Sequence, residues 1–139
     1  MKSRSAEDVF SVSSETDRFW CAREVRRAAR DLGFDEEAQW ELAIVAAELV
    51  SNAVRYAGSG MLTLRAAPGR RPGMEIVVAD LGGAGWKVSA GGGAEAAPAG
   101  PRPGLGFGLR TVHCLSHEVS IDRDSNGGTV VTAARYLEP

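Results

Sequence analysis

The sequence predicts an α+β sandwich in which a mixed, mostly antiparallel sheet packs against helices on one face. In some segments hydrophobic residues repeat at helical spacing. Other segments are short and either apolar throughout or alternately apolar and polar, which predicts strands. The predicted order is β-α-α-β-β-loop-α-β-β, in which helices and strands come in pairs without regular β-α-β alternation. A chain of 139 residues suits one hydrophobic core. We therefore expect a single domain over residues 1–139.

The composition is typical of a globular protein, with 44% hydrophobic and 24% charged residues and a net charge of -2. These values exclude a mainly disordered chain and a broadly basic nucleic-acid coat. The longest uncharged apolar run, 42–47, is far shorter than the roughly 18 residues that cross a bilayer. With no secretory signal at the N-terminus, we expect a cytoplasmic protein without a membrane partner. Cys21 and Cys114 belong to no C-x-x-C pair and are expected to be reduced thiols.

The first strand and the first helix follow directly from residue spacing. Residues 9–13 alternate apolar and polar side chains, as a strand does. Residues 17–32 carry apolar side chains at helical spacing, Ser14 with Asp17 resembles a capping box, and Gly33 suits the position just past a helix.

The outer face of this first helix is basic. It carries five arginines: Arg18, Arg23, Arg26, Arg27 and Arg30. A solvated helix face is one interpretation of them, and a binding face for an acidic partner is another. A third hypothesis is DNA binding, which the net charge of -2 and the lack of a helix-turn-helix pattern argue against. We therefore expect no nucleic-acid partner.

The second helix carries the most informative pattern in the chain. Asp35 is a suitable cap, and the helical pattern runs to about Ala57. Because this helix is apolar almost all round, it must be buried on more than one side. One narrow polar stripe, at offsets of seven, four and three, interrupts the apolar surface: Glu41, Glu48, Asn52 and Arg55. A polar cleft is at least as good an explanation of this stripe as solvent.

The remaining strands are expected in two hairpins, 61–66 with 75–80 and 118–122 with 129–135. Between them, 91–104 consists of Gly, Ala and Pro apart from Glu95 and Arg102, and such a segment cannot build a core. It is predicted to be a mobile loop over a ligand, followed by a short helix over 107–116.

Three local patterns point to nucleotide chemistry. Glu48 and Asn52 share a helix face, so the carboxylate can orient or deprotonate a hydroxyl while the amide oxygen ligates Mg²⁺. Asp80 ends a buried strand before a glycine-rich turn, where backbone can approach a flat ligand. The glycine-rich segment 104–109 opens a helix, whose N–H groups suit phosphate. It lacks the Gly-Lys-Ser/Thr of a P-loop and the preceding strand of a dinucleotide fingerprint.

Taken together, four segments in this order resemble the N, G1 and G2 boxes of the GHKL superfamily of ATPases and kinases: ELVSNA, VVADLGGAG, GLGFGL and the GGT that ends at Thr129. The resemblance covers almost the whole chain and implies that superfamily's α/β sandwich, the Bergerat-type ATP-binding fold. Within the superfamily, the chain looks most like the bacterial anti-sigma-factor-type serine kinases of partner-switching pathways, in particular the stressosome switch kinase.

The resemblance also implies a role for each matching residue. Glu48 matches the general base or water-orienting residue, and Arg102 resembles the lid arginine that contacts the terminal phosphate. Asn52 matches the Mg²⁺ ligand. The other nucleotide-binding positions are Asp80 and Thr129 at the adenine, Gly82 and Ala84 in the G1 turn, and Gly104, Leu105, Gly106, Phe107 and Gly108 at the phosphates. The sequence departs from the family's D-x-G-x-G pattern at Ala84, whose methyl group is expected to alter the turn.

The resemblance thus implies an ATP- and Mg²⁺-dependent serine/threonine protein kinase that phosphorylates a small antagonist protein of the anti-anti-sigma type in a stress or sigma-factor pathway. A sigma factor, a phosphatase and a second copy of the chain are further partners that it suggests. An alternative is a nucleotide-gated binding protein that sequesters a sigma factor or activates a phosphatase with little kinase activity. Both alternatives use the same pocket, and the residues do not separate them.

Overall fold

The computed structural model describes residues 7–80, 87–88, 94–95, 105–123 and 127–138. Three helices and a five-stranded open sheet form the predicted α+β sandwich. The elements in chain order are β1 (Asp8–Val12), α1 (Asp17–Leu32), α2 (Glu36–Ala57), β2 (Gly60–Ala66), β3 (Gly73–Asp80), β4 (Lys87–Val88), β5 (Ala94–Glu95), α3 (Leu105–Leu115), β6 (Glu118–Arg123) and β7 (Thr129–Tyr136).

The strand order of the large sheet is β1-β2-β3-β7-β6, and each neighbouring pair is antiparallel. The two predicted hairpins, β2 with β3 and β6 with β7, are confirmed. Burial alternates along β2, β3 and most of β7, because successive side chains of a strand point to opposite faces. One face of the sheet therefore packs against the helices.

Helices α1 and α2 form a hairpin that covers the sheet. The Asp35 side chain accepts a hydrogen bond from the backbone N–H of Ala38 at 2.8 Å and so caps α2 as predicted. Gly33 and Gly58 end the two helices in the left-handed conformation that favours glycine. At the start of α1, the Asp17 carboxylate accepts from the backbone N–H groups of Ser13 and Ser14, so only half of the predicted capping box is present.

The core lies between the inner face of the sheet and the buried faces of the helices. It includes cross-strand pairs such as Leu62 with Val78 and Ile76 with Ala133. Burial of each large aliphatic side chain stabilises the fold by about 1.5 to 3 kcal/mol. Helix α2 contributes to the core along most of its length, which agrees with its nearly all-apolar sequence.

Two expectations need correction. Within the segment predicted to be a loop, Ala94–Glu95 is a short strand that pairs with Lys87–Val88, and the other residues of 91–104 lie outside the described residues. Helix α3 begins at Leu105, earlier than predicted, so most of the glycine-rich segment belongs to its first turn. In the described parts of the chain, we find no helix with the length and apolar character needed to cross a membrane.

Candidate functional site

The centre of the candidate site lies where α2 meets α3. Glu48 and Asn52, one turn apart on α2, both face Gly108 of α3. A Cβ atom at position 108 would lie 2.6 Å from Glu48 Oε1 and 3.8 Å from Asn52 Nδ2. Since glycine has no Cβ, α3 approaches these two polar side chains closely.

Asn52 is the least satisfied polar side chain of this region. It is only 2% exposed, and its Nδ2 has no hydrogen-bond partner among the described residues. A buried amide nitrogen without a partner costs about 1 to 3 kcal/mol. Such a group fits a site that a ligand completes, because the amide offers a donor for a phosphate oxygen and a carbonyl oxygen for Mg²⁺.

A second buried polar pair lies at the end of the central strands. Asp80 is the last residue of β3, Thr129 is the first of β7, and each is 3% exposed. The backbone N–H of Thr129 donates to Asp80 Oδ1 at 3.2 Å. This bond orients the carboxylate at the end of these two interior strands, so the two positions implied by the resemblance are neighbours.

Gly60 lies where α2, which carries Glu48 and Asn52, meets the end of β3, which carries Asp80. It pairs with Asp80 across the β2–β3 hairpin. A Cβ atom at position 60 would lie 2.9 Å from the carbonyl oxygen of Ala79 and 3.2 Å from the Cβ of Ala53. The turn of α2 that carries Asn52 therefore packs directly over the strand end that carries Asp80.

A single polar cleft, one of the two explanations that the sequence allows for the polar stripe of α2, does not hold all four of its residues. At one end, Glu41 Oε1 forms an ion pair with Arg135 of β7 at 2.6 Å. At the other end, Arg55 bonds to Glu15 at 3.2 Å, and Ser51 Oγ donates to the same carboxylate at 3.1 Å. Only Glu48 and Asn52, in the middle of the stripe, belong to the candidate site. The outer two residues join α2 to β7 and to the segment before α1.

The ion pair between Glu15 and Arg55 also sets the charge state of this end of α2. The hydrogen bond from Arg55 lowers the pKa of the Glu15 carboxyl, and the bond from Ser51 adds to this effect. The same carboxylate raises the pKa of Arg55. Both groups are therefore charged at neutral pH, and they hold the segment before α1 against the C-terminal half of α2.

Several predicted site residues lie outside the described residues: Gly82, Ala84, Arg102 and Gly104. Leu105, Gly106 and Phe107 form the first turn of α3, as the prediction of a helix-opening glycine segment requires. The sequence predicts Gly108 to be a phosphate-binding glycine, and it does not predict the close approach of Gly108 to Glu48. No local signal could have found that contact, since it joins two helices far apart in the sequence.

Comparisons with known proteins agree with this fold. Residues 18–135 match the sequence model of a protein family described as the histidine kinase-like ATPase domain. A solved chain from "The crystal structure of SiaB-SiaC complex from Pseudomonas aeruginosa" has a similar fold, with a TM-score of 0.64 and 11% sequence identity over 91% of this chain and 88% of that one. No curated protein sequence matches this chain. Because the family match spans most of its length, the chain belongs to the histidine kinase-like ATPase family.

Proposed function

We propose that this histidine kinase-like ATPase domain binds Mg-ATP over the end of β3 and the α2–α3 contact, and that it transfers the γ-phosphoryl group to a Ser or Thr of a small partner protein. The observation that carries the proposal is the buried Asn52 side chain beside Glu48 at Gly108, because its Nδ2 has no hydrogen-bond partner in the described part of the chain. An additional motivation is the fold similarity to a chain of the SiaB–SiaC complex, in which two proteins occur together.

Asp80 would select the base of the nucleotide. Its carboxylate is buried and oriented by the Thr129 N–H, and a carboxylate can accept a hydrogen bond from the exocyclic amine of adenine. Guanine presents a carbonyl oxygen at the corresponding position, and two hydrogen-bond acceptors would then face each other. The buried carboxylate therefore disfavours guanine. We therefore expect ATP to be preferred over GTP.

Asn52 and the first turn of α3 would hold the phosphates. Backbone N–H groups at a helix N-terminus attract anions, and the first turn of α3 follows the glycine-rich sequence. Among the described residues no cluster of three His, Cys, Asp or Glu could hold a metal. Phosphate oxygens and water would then supply most ligands of a Mg²⁺ ion at Asn52, as is common for nucleotide sites. Such an ion would neutralise charge on the phosphates.

Glu48 would serve the acceptor side of the reaction. Its carboxylate would accept the proton of the Ser or Thr hydroxyl as that oxygen bonds to the γ-phosphorus, and the bond from that phosphorus to the bridging oxygen of ADP would break. We propose that Arg102, in the segment 91–104, contacts the terminal phosphate as a lid residue. Phosphoryl transfer depends mainly on positioning and charge neutralisation, which these residues would supply.

Nucleotide binding is tested by thermal unfolding with and without millimolar Mg-ATP. A ligand at 100 times its Kd stabilises a fold by about 2.7 kcal/mol. Asp80→Asn should remove most of this gain and keep the fold, because an Asn oxygen can still accept from Thr129. Asp122→Asn, which changes an exposed carboxylate on β6, is the matched control and should retain the gain. An unchanged unfolding temperature for the unaltered chain would exclude ATP binding.

Phosphoryl transfer is tested with γ-labelled ATP and the purified small proteins encoded beside this chain's gene. Label on a Ser or Thr of one of them, lost in Glu48→Ala and retained in Glu37→Ala on the exposed first turn of α2, is the expected result. A stable complex without label would instead indicate a nucleotide-gated binding protein.

A further inference from the structure

The helix hairpin exposes large apolar side chains beside the candidate site. Phe19 of α1 is 59% exposed, and Trp40 and Ile44 of α2 are 50% and 43% exposed. Trp40, Ile44 and Glu48 follow each other at intervals of four residues, so they form one row along α2. The apolar part of this row leads directly to the carboxylate proposed to meet the acceptor hydroxyl.

Contacts between the two helices show how α1 runs beside this row. Arg26 of α1 lies over the ring of Trp40, with its guanidinium carbon 3.8 Å from the ring centre. At the other end of the hairpin, Glu15 contacts Ser51. The helices are therefore antiparallel, and Phe19 lies between these two contacts. We call Phe19, Trp40, Ile44 and the adjacent arginines the hairpin surface.

The polar part of the hairpin surface is basic. Phe19, Arg23, Arg26 and Arg30 repeat at intervals of four, three and four residues and share one face of α1. The structure shows no ion pair between these three arginines and any described carboxylate, whereas Arg27 pairs with Glu24. The acidic residues of α1 lie on a different face at intervals of seven: Asp17, Glu24 and Asp31.

We infer that the hairpin surface docks the protein that accepts the phosphoryl group, through a patch on that protein which combines acidic and apolar residues. The inference rests on the proposed function. Exposed aromatic and arginine side chains are the residues that dominate binding energy at protein interfaces. Three guanidinium groups that form no ion pair with a described carboxylate favour an acidic partner. A partner seated beside Ile44 would bring its acceptor residue to Glu48, one turn further along α2. A nucleic acid would present no Ser or Thr hydroxyl there.

The experiment measures binding and label transfer for the acceptor protein identified with γ-labelled ATP. Ile44→Asp and the double variant Arg23→Glu/Arg30→Glu should each weaken binding about tenfold or more. Their matched controls alter exposed residues elsewhere: Met61→Asp, where the side chain is 39% exposed on β2, and Arg70→Glu in the β2–β3 loop. The controls should bind as the unaltered chain does, and higher salt should weaken binding by the unaltered chain.

Two readouts separate a docking defect from other defects. Stabilisation by Mg-ATP should persist in all four variants, since none of these residues lies in the nucleotide site. Transfer by Ile44→Asp should recover at high concentrations of the acceptor, because docking changes KM more than kcat.

Each other outcome overturns the inference. If the variants bind and label the acceptor as the controls do, the acceptor docks elsewhere and the proposed function stands. If the unaltered chain labels and binds no protein, the proposed function fails as well. Self-association that Ile44→Asp abolishes would assign the surface to a second copy of the chain. Salt-sensitive retention on DNA that Arg23→Glu/Arg30→Glu abolishes would assign it to nucleic acid.

Discussion

Replacement of Gly108 by alanine is expected to stabilise the fold and impair the reaction. Alanine is favoured over glycine inside a helix by about 0.5 to 1 kcal/mol. The new methyl group would lie 2.6 Å from Glu48 Oε1, so this oxygen must move by about 0.8 Å to reach an ordinary contact of 3.4 Å. The oxygen is the end of a flexible side chain, and its displacement costs little stability. A catalytic group misplaced by about 1 Å can nevertheless cost on the order of 100-fold in rate.

The assay compares label transfer, Mg-ATP binding and thermal unfolding for Gly108→Ala, Glu48→Ala and the double variant. Asn52 Nδ2 would be 3.8 Å from the methyl group, an ordinary contact, so stabilisation by Mg-ATP should persist in Gly108→Ala. The double variant should lose no more rate than Glu48→Ala alone, because both changes act through one carboxylate. If Gly108→Ala transfers label to the acceptor protein at the full rate, the position of the Glu48 carboxylate does not matter for the reaction, and the reasoning is refuted. Destabilisation by Gly108→Ala would show that α3, rather than Glu48, moves.

The remaining predictions concern stability and reactivity. Arg135→Met leaves the partly buried Glu41 carboxylate without its cation and should lower the free energy of unfolding by about 1 to 2 kcal/mol in denaturant titrations; an unchanged value would contradict this. The hydrogen bond from Arg55 lowers the pKa of Glu15 in the folded chain. The stabilisation that this bond gives is therefore present above 4.5, the ordinary pKa of the carboxyl, and is lost as pH falls through the lower pKa of the folded state. Glu15→Gln should therefore cost up to about 1 kcal/mol at neutral pH and flatten the acid side of the stability curve. Burial raises the pKa of Cys21 to about 12, so iodoacetamide at neutral pH should modify the exposed Cys114 first, and equal labelling by mass spectrometry would disagree.

Local chemistry made much of the fold predictable from the sequence. Asp35 and Gly58 mark the two ends of α2 in the sequence, because a capping carboxylate and a left-handed glycine act within a few residues of the helix end. The two hairpins are predictable for the same reason, since turn residues lie between apolar runs. The family resemblance then placed Asp80 beside Thr129, and the structure joins them by a hydrogen bond.

Contacts distant in sequence account for what could not be predicted. Glu41 and Arg55 belong to the same polar stripe as Glu48, and nothing within α2 distinguishes them. Their partners, Arg135 and Glu15, are supplied by a strand and a loop whose positions depend on the whole fold. The sequence does not predict the short pairing of β4 with β5 either, because β5 lies in a segment of mostly Gly, Ala and Pro that carries no apolar alternation to mark a strand.

The placement of Asp80 opposite Thr129 has a consequence for how the site could change. Both residues belong to the pair of strands whose register also aligns Ile76 with Ala133 in the core. A slip of one residue would turn these core side chains to the other face, so the register is protected by the same burial that stabilises the domain. The spacing of this proposed base-recognition pair therefore depends on the buried register of β3 and β7.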